Sequence, residues 1–574
     1  MTKRIIALLL AFALVFALVA CGGSSDDTTT DTGTTATDES TQTTTEPAEK
    51  DANSAAVDGA QGTGSTGEQV DEAEHVYTEV TVGSMGAKFV GHFDGTSGFS
   101  TDVSGAAMTL VYDRPFFTDP DTREWDSEIL SDWSYDEDTL VATLQVKEGV
   151  TFARSGNQLL ASDLLWSYKR NALSPLNAAN WAKYTDLDNS WTSDDNMTLY
   201  LQFRVNFGAW QYQLSNCGIL EEAWIADNGG EDDFDWFDPE LANGTGPYIP
   251  TEFTIGVSTT YEKREDWWGS DAYTTAYCYA DKINTLQYTD ETTMMVDFEN
   301  GNLDVVLSLS STSMERVIND PSIGTAQSVS SNAVALLVMD YDEDGDPIFE
   351  NENLRKAICY GTPTDDLSEL AYGVLYNHAE SVLPQSSQYC VTGYSYEYDP
   401  ELAQSYLDDS GLSDVTLNWV VNSGSSAATI AEAFNAYMAQ IGITIDVEVY
   451  DILTCIATWE TERSTDFIMV CNNNANSGGD PYVLMQYLSD AQSFYCSSRI
   501  GTEVNDLINA GCYTSNVSER AEAYAALQEY LYNDYSVIPM CEWNVGLAYR
   551  GVVKSTRITD VYQANLRYLE IGND

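Results

Sequence analysis

The sequence predicts an α/β fold divided into more than one lobe. Three observations carry that expectation. A strand pattern, a helix pattern and a second strand pattern follow one another between Tyr398 and Val449. Apolar residues alternate with polar or small ones in other segments, as at Leu140, Ala142, Leu144 and Val146. The chain has 574 residues, more than one small core organises, so two or three lobes are expected.

The Tyr398–Val449 unit reads element by element. Asp399-Pro400-Glu401 opens a helix with proline at its first position, and Gly411 closes it. Val415, Leu417, Trp419 and Val421 alternate as in a strand. Ile430, Ala433, Phe434, Tyr437, Met438 and Ile441 keep helical spacing, and Gly442 stops that helix. Ile443, Ile445, Val447 and Val449 alternate again. Strand, helix, strand in this order implies parallel strands joined by a right-handed crossover.

Composition narrows the function. An apolar fraction of 43% with 35 Tyr and 13 Trp is ample for burial. The formal net charge of −65 excludes nucleic acid as a partner, since phosphate contacts need clustered Lys and Arg. It also opposes adhesion to an anionic membrane by charge, favours solubility and draws in cationic ligands. Three scattered histidines, His75, His92 and His378, and the lack of any Cys-x-x-Cys leave no metal-site pattern, so no metal and no cofactor are expected. No Gly-x-Ser-x-Gly elbow or Walker loop appears, and no acid pair stands out among 90 Asp and Glu. The chain does not read as an enzyme.

In chain order, residues 1–20 read as an export signal, with Lys3 and Arg4 before the apolar run Ile5–Phe16. Leu18-Val19-Ala20-Cys21-Gly22 resembles the bacterial lipobox, which implies cleavage before Cys21 and a lipid anchor on it. Residues 21–74, rich in Thr, Ser, Gly, Asp and Glu, read as a disordered tether. The glycines of Gly62–Gly67 match a dinucleotide fingerprint only in letters, because no strand precedes them and no helix follows. A folded body is expected over 75–574. Strands are read at Val76–Val82, Ile283–Tyr288, Ala333–Met339 and Asp466–Cys471, and helices from Ala161, with Ser162 as N-cap, and over Ser518–Tyr532. Asn472–Gly479 reads as a polar loop, with Asp480-Pro481 opening the next helix. With Cys21 lipidated, nine cysteines remain, an odd number that leaves at least one thiol unpaired.

One stretch is more specific than the rest. Asn243-Gly244-Thr245-Gly246-Pro247-Tyr248 reads as a tight turn, because glycine tolerates positive φ and proline fixes φ. A second strand then ends at Asp266-Trp267-Trp268-Gly269. Gly-Thr-Gly-Pro-Tyr followed by Trp-Trp-Gly resembles the signature of the family 5 extracellular solute-binding proteins. The run Asp132–Tyr168, the turn Phe298–Val305, the helix Leu354–Ile358 and Ile538-Pro539-Met540 resemble that family in the same order, over roughly residues 105–555.

The resemblance implies a periplasmic-binding-protein-like fold (type II, cluster C), with two α/β lobes, a hinge and a third smaller lobe. Lobe 1 is then expected at about 75–107, 241–330 and 540–574, the extra lobe at about 108–240, and lobe 2 at about 331–539. The crossings between lobes are expected near Ala326–Ala333 and Ser536–Asn544. It further implies a monomeric, lipid-anchored substrate-binding protein on the extracellular or periplasmic side, which hands short peptides to the permease of an ABC importer. The alternatives are a non-peptide solute, such as a sugar or a nickel chelate, and a surface adhesin or signalling receptor without transport. Tyr112, Asn472, Asn473, Ser477, Asp480 and Trp543 are the expected ligand residues, with Trp267 and Tyr549 as further candidate pocket walls. Ser477 stands where peptide binders of the family place an aspartate against the ligand's α-ammonium, so Asp480 or another acid must replace it, or the ligand lacks a free N-terminus.

Overall fold

The computed structural model describes residues 78–85, 91–96, 108–118, 125–174, 177–269, 280–339, 347–462, 464–473, 481–482, 501–556 and 566–572. The expected export signal, Cys21, the tether, Ser477 and Asp480 lie outside these residues.

The strands that organise the chain are β1 (Glu79–Met85), β2 (Leu130–Asp136), β3 (Val141–Val146), β4 (Trp191–Thr192), β5 (Thr198–Gln202), β6 (Tyr248–Thr254), β7 (Ser258–Lys263), β8 (Lys282–Tyr288), β9 (Val305–Leu309), β10 (Thr325–Met339), β11 (Tyr376–Asn377), β12 (Val415–Asn422), β13 (Ile443–Tyr450), β14 (Phe467–Asn473) and β15 (Val537–Tyr549). The largest sheet has the order β14-β10-β15-β9-β1-β8-β7-β6, with β11 beside β15. In it β1 runs parallel to β8 and β9, whereas β15 runs antiparallel to β9 and β10. A four-stranded antiparallel sheet has the order β2-β3-β5-β4, and β12 pairs in parallel with β13.

Each element follows from local chemistry. The alternation of β3 buries Ala142, Leu144 and Val146 and leaves the intervening side chains at the surface or half-buried. Residues Ala333–Met339 of β10 are apolar throughout because both faces are covered. Val334, Leu336 and Val338 enter one core and Ala335, Leu337 and Met339 another. The predicted strand–helix–strand unit is present. Pro400–Ser410 is a helix capped by the Asp399 carboxylate and ended by Gly411 at φ +72°, and Ser426–Gln440 lies between β12 and β13. Asp304 fixes β9 against β1, its carboxylate accepting the Thr81 N–H at 2.8 Å.

Two expectations need correction. The helix Ala161–Asn171 is preceded by Leu160 at the N-cap, not Ser162. The Asp163 carboxylate accepts the Leu160 N–H at 3.0 Å, while the Ser162 hydroxyl accepts from Asn196. The glycines of the Asn243–Pro247 turn do not take positive φ. They are needed for close approach instead. A Cβ on Gly244 would lie 2.0 Å from the Val111 carbonyl oxygen, and one on Gly246 would lie 2.5 Å from that of Leu110. The turn is docked on residues 110–113, and its Thr245 carbonyl accepts the indole N–H of Trp267 at 3.2 Å and of Trp268 at 2.8 Å.

A buried ionic group closes the same region. Arg567 donates to Asp113 at 2.6 Å and to Glu128 at 2.5 Å, and the Thr245 hydroxyl donates to the other Asp113 oxygen at 2.7 Å. Burial pushes the Glu128 carboxyl up, and the Arg567 guanidinium pulls it back. Among the described residues Cys217, Cys359, Cys390 and Cys455 are free thiols, and all of these but Cys390 are buried, as are Cys512 and Cys541.

Candidate functional site

The site is built where β10 and β15 cross from one core to the next. Their pairing runs from Thr325 opposite Tyr549 to Ser330 opposite Asn544, then resumes with Val334 opposite Glu542. Four steps along β10 thus match two along β15, which places a bulge at residues 331–333. Asn332 within it adopts φ +52°. Ser331 is buried, and its hydroxyl has no hydrogen-bond partner among the described residues.

Register assembles the surrounding residues. Asn472 and Asn473, at the carboxyl end of β14, lie opposite Val334 and Ala333. On the far side of β15, Tyr376 pairs with Trp543 and Asn377 with Glu542. The carboxyl end of β9 arrives beside them, Leu309 facing Gly546, and β1 runs parallel to it. Carboxyl ends of parallel strands leave a crevice into which loops project, the usual ligand position in open α/β sheets.

Aromatic and acidic side chains ring the crossing. Trp543 is half-buried and stacks on Tyr372, with centroids 5.8 Å apart and planes 13° apart. Tyr376 donates to Asp365 at 2.5 Å, and His378 Nδ1 lies 2.7 Å from the same oxygen. Partial burial pushes Asp365 up, but the bonds from Tyr376 and His378 outweigh it and hold the carboxyl below its ordinary range. Glu542 is 7% exposed and accepts the Gln385 N–H at 2.8 Å. Burial pushes its carboxyl up to about 7, against the bond from Gln385 and the nearby His378. An acid beside aromatic faces suits a cationic group.

The raised carboxyl sets a pH dependence. Below about 4.5 Glu542 is neutral in both folded and unfolded chains, and its contribution to stability is fully present. That contribution is lost as pH rises through about 7, because the unfolded chain ionises first. Between pH 5 and pH 8 the native chain should therefore lose roughly 2 kcal/mol more stability than Glu542→Gln, after allowance for solvent screening. Urea unfolding at both pH values measures the difference, and parallel pH profiles for the two proteins would refute it.

The sequence-predicted residues fall into three groups. The crossing brings Asn472, Asn473 and Trp543 together. Ser477 and Asp480 lie outside the described residues. Tyr112 lies elsewhere, fully buried, with its hydroxyl donating to the Phe93 carbonyl at 2.7 Å and its ring against Gly95 and Gly244. In this conformation it offers a ligand no exposed surface. Trp267 is likewise buried, and Tyr549 packs beside the same core. Sequence reasoning missed Glu542, Tyr372, Tyr376, Asp365 and His378. Glu542 had a signal: an acid in the apolar run Val537–Trp543 is out of place unless it has a polar task. Among the described residues, no group of three or more His, Cys, Asp or Glu could hold a metal ion.

Comparison with known proteins adds the family. The peptide transport periplasmic protein SapA of Haemophilus influenzae is 21% identical over 328 residues, 55% of this chain and 56% of that protein, so the match spans little more than half of it. The probable ABC transporter periplasmic-binding protein SapA of Escherichia coli is 20% identical over 488 residues, covering 80% of this chain and 86% of the relative. The structure of the ABC transporter substrate-binding protein CtaP from Listeria monocytogenes matches with a TM-score of 0.72 at 18% identity, over 86% of this chain and 99% of that one. That likeness establishes a periplasmic-binding-protein-like α/β fold. The model of the bacterial extracellular solute-binding proteins, family 5 (middle), matches residues 125–495, and the chain belongs to that family.

Proposed function

We propose that this protein captures short peptides at the β10–β15 crossing and delivers them to an ABC importer, without catalysing a reaction on them. The observation that carries the reading is the register that places Asn472 and Asn473 on β14 and Trp543 on β15, on either side of β10 at the crossing, in a chain of this family. The names of the SapA relatives support peptide as the solute and an ABC transporter as the destination. In this reading Asn472, Asn473, Ser477 and Asp480 contribute to the ligand site, as the family resemblance implies. Glu542 or Asp480 supplies the negative charge that Ser477 cannot. The lobes are those expected from the sequence, about 75–107 with 241–330 and 540–574, about 108–240, and about 331–539. Cys21 carries the lipid, residues 21–74 form the tether, and the protein works as a monomer.

Mass spectrometry of small molecules released by denaturing the natively purified full chain tests this. A ladder of short peptides is the expected result. A single sugar or metal chelate overturns it, as does an empty crevice combined with no heat of binding for a short-peptide mixture.

A further inference from the structure

Tyr482 follows β14 by nine residues, counting from Asn473, yet it lies in a different core from Phe467 and Ile468 of that strand. Its ring is 3% exposed and enters the core of the β2–β5 sheet. There it meets Tyr184 edge-on at 5.4 Å and Phe207 edge-on at 5.2 Å, two rings stacked face to face 4.1 Å apart. Its hydroxyl donates to that of Tyr184 at 2.5 Å. Further contacts join the same parts. The Gly208 N–H donates to the Cys512 carbonyl at 2.8 Å, where a Cβ on Gly208 would lie 2.1 Å from the Thr514 carbonyl oxygen. The Ser515 N–H donates to Glu137 at 3.0 Å, and bonds from Ser515 hold the Glu137 carboxyl below its ordinary range.

The helix Gly501–Cys512 also reaches another core. Val504 and Ile508, on the same helix as Cys512, pack with Val334, Leu336 and Val338 of β10 and with Ile468 of β14. Tyr524, Leu527 and Leu531 join them. Among the described residues the link to the β2–β5 sheet includes the Tyr482 ring, the buried Cys512, the Tyr513 ring 6.5 Å from that of Tyr184, the Gly208 backbone bond and the Ser515–Glu137 pair. A contact between two cores that is built of few groups can separate as a unit.

We propose that Tyr482 is a positioning residue for ligand capture, a knob whose seat between Tyr184 and Phe207 holds the crevice shut and which leaves that seat when the crevice opens. The proposal rests on the reading that ligand binds at the β10–β15 crossing. Ligand and knob then act in series: a bound ligand leaves only after Tyr482 unseats, so the seat sets how long the ligand stays.

Hydrogen exchange on the full chain, without ligand, tests the knob directly. In Tyr482→Ala the amides of Gly208 and Ser515 should exchange at least about tenfold faster, while core amides such as Leu144 and Leu417 keep their native rates. Gly208→Ala, which wedges the seat apart from the other side, should give the same signature with Tyr482 intact. If Tyr482→Ala also loses protection at Leu144, Gly208→Ala decides. Unchanged exchange at Ser515 in a variant with an intact core overturns the proposal. A second arm follows the release of Ala-Ala-Ala by stopped flow, where Tyr482→Ala should raise the dissociation rate about tenfold. An unchanged rate also overturns the proposal. Failure of native protein to bind Ala-Ala-Ala or a short-peptide mixture counts against the peptide reading, and the exchange result still judges the knob.

Discussion

Replacing Arg567 by methionine should cost about 3–5 kcal/mol, the usual penalty for breaking a buried ion pair from one side. Arg567 is 2% exposed, and its guanidinium faces two carboxylates that are themselves buried. Methionine restores much of the volume but none of the charge, so Asp113 and Glu128 are left uncompensated in a dry site. Two consequences separate this account from loss of packing. The variant should regain stability as pH falls, because burial pushes the Glu128 carboxyl up and the guanidinium that opposed it is gone. Adding Glu128→Gln and Asp113→Asn to Arg567→Met should recover most of the loss, because the penalty lies in the buried charge. Denaturant midpoints across pH measure both. A loss that neither acid nor the extra substitutions reverse would assign Arg567 a packing role.

Gly244→Ala should be the second severe change, costing at least about 3 kcal/mol, at the upper end of overpacking penalties. The new methyl group would meet the Val111 carbonyl oxygen at 2.0 Å and the Tyr112 ring at 2.7 Å. A carbonyl in the backbone cannot swing aside as a flexible side chain can, so the turn must lift. Lifting it strains the Gly246 N–H bond to Val111 at 2.9 Å and the Thr245 hydroxyl bond to Asp113. Alanine at Gly256, which takes φ +71° but has only a Gln287 side-chain oxygen at 3.7 Å near its Cβ, makes a useful comparison. It should cost about 1 kcal/mol, the price of a backbone conformation and not of a collision. Thermal unfolding of the two variants ranks them, and equal midpoints would show that the turn yields without loss.

These features show where sequence was readable. Local signals gave correct elements: the alternation of Val141–Val146, the Asp399-Pro400 helix start and the Gly411 stop all stand. Residues far apart in sequence were harder. Ser330, Ser331 and Asn332 look like a break before a strand, yet β10 runs through them because β15, some 200 residues later, pairs on both sides of the bulge. The glycines of the Asn243–Pro247 turn were assigned to a turn correctly and for the wrong reason, since the crowding comes from residues 110–111. The family pattern led to Asn472, Asn473 and Trp543, which register brings together. The acid and aromatic side chains facing them come from residues 365–378, which carry no motif. Only tertiary packing turns Asp365, Tyr372, Tyr376 and His378 into neighbours of the crossing.

The place of β15 in the largest sheet has a consequence for synthesis. This strand, residues 537–549, lies between β10 and β9 and separates the β14–β10 pair from β1 and its partners. Until a growing chain has extended past residue 549, those two groups have no ladder between them, and both present an open edge. Assembly of the sheet is therefore a late, long-range event and intrinsically slow. A fragment stopped before Val537 would carry two unpaired strand edges, open to pairing with another chain.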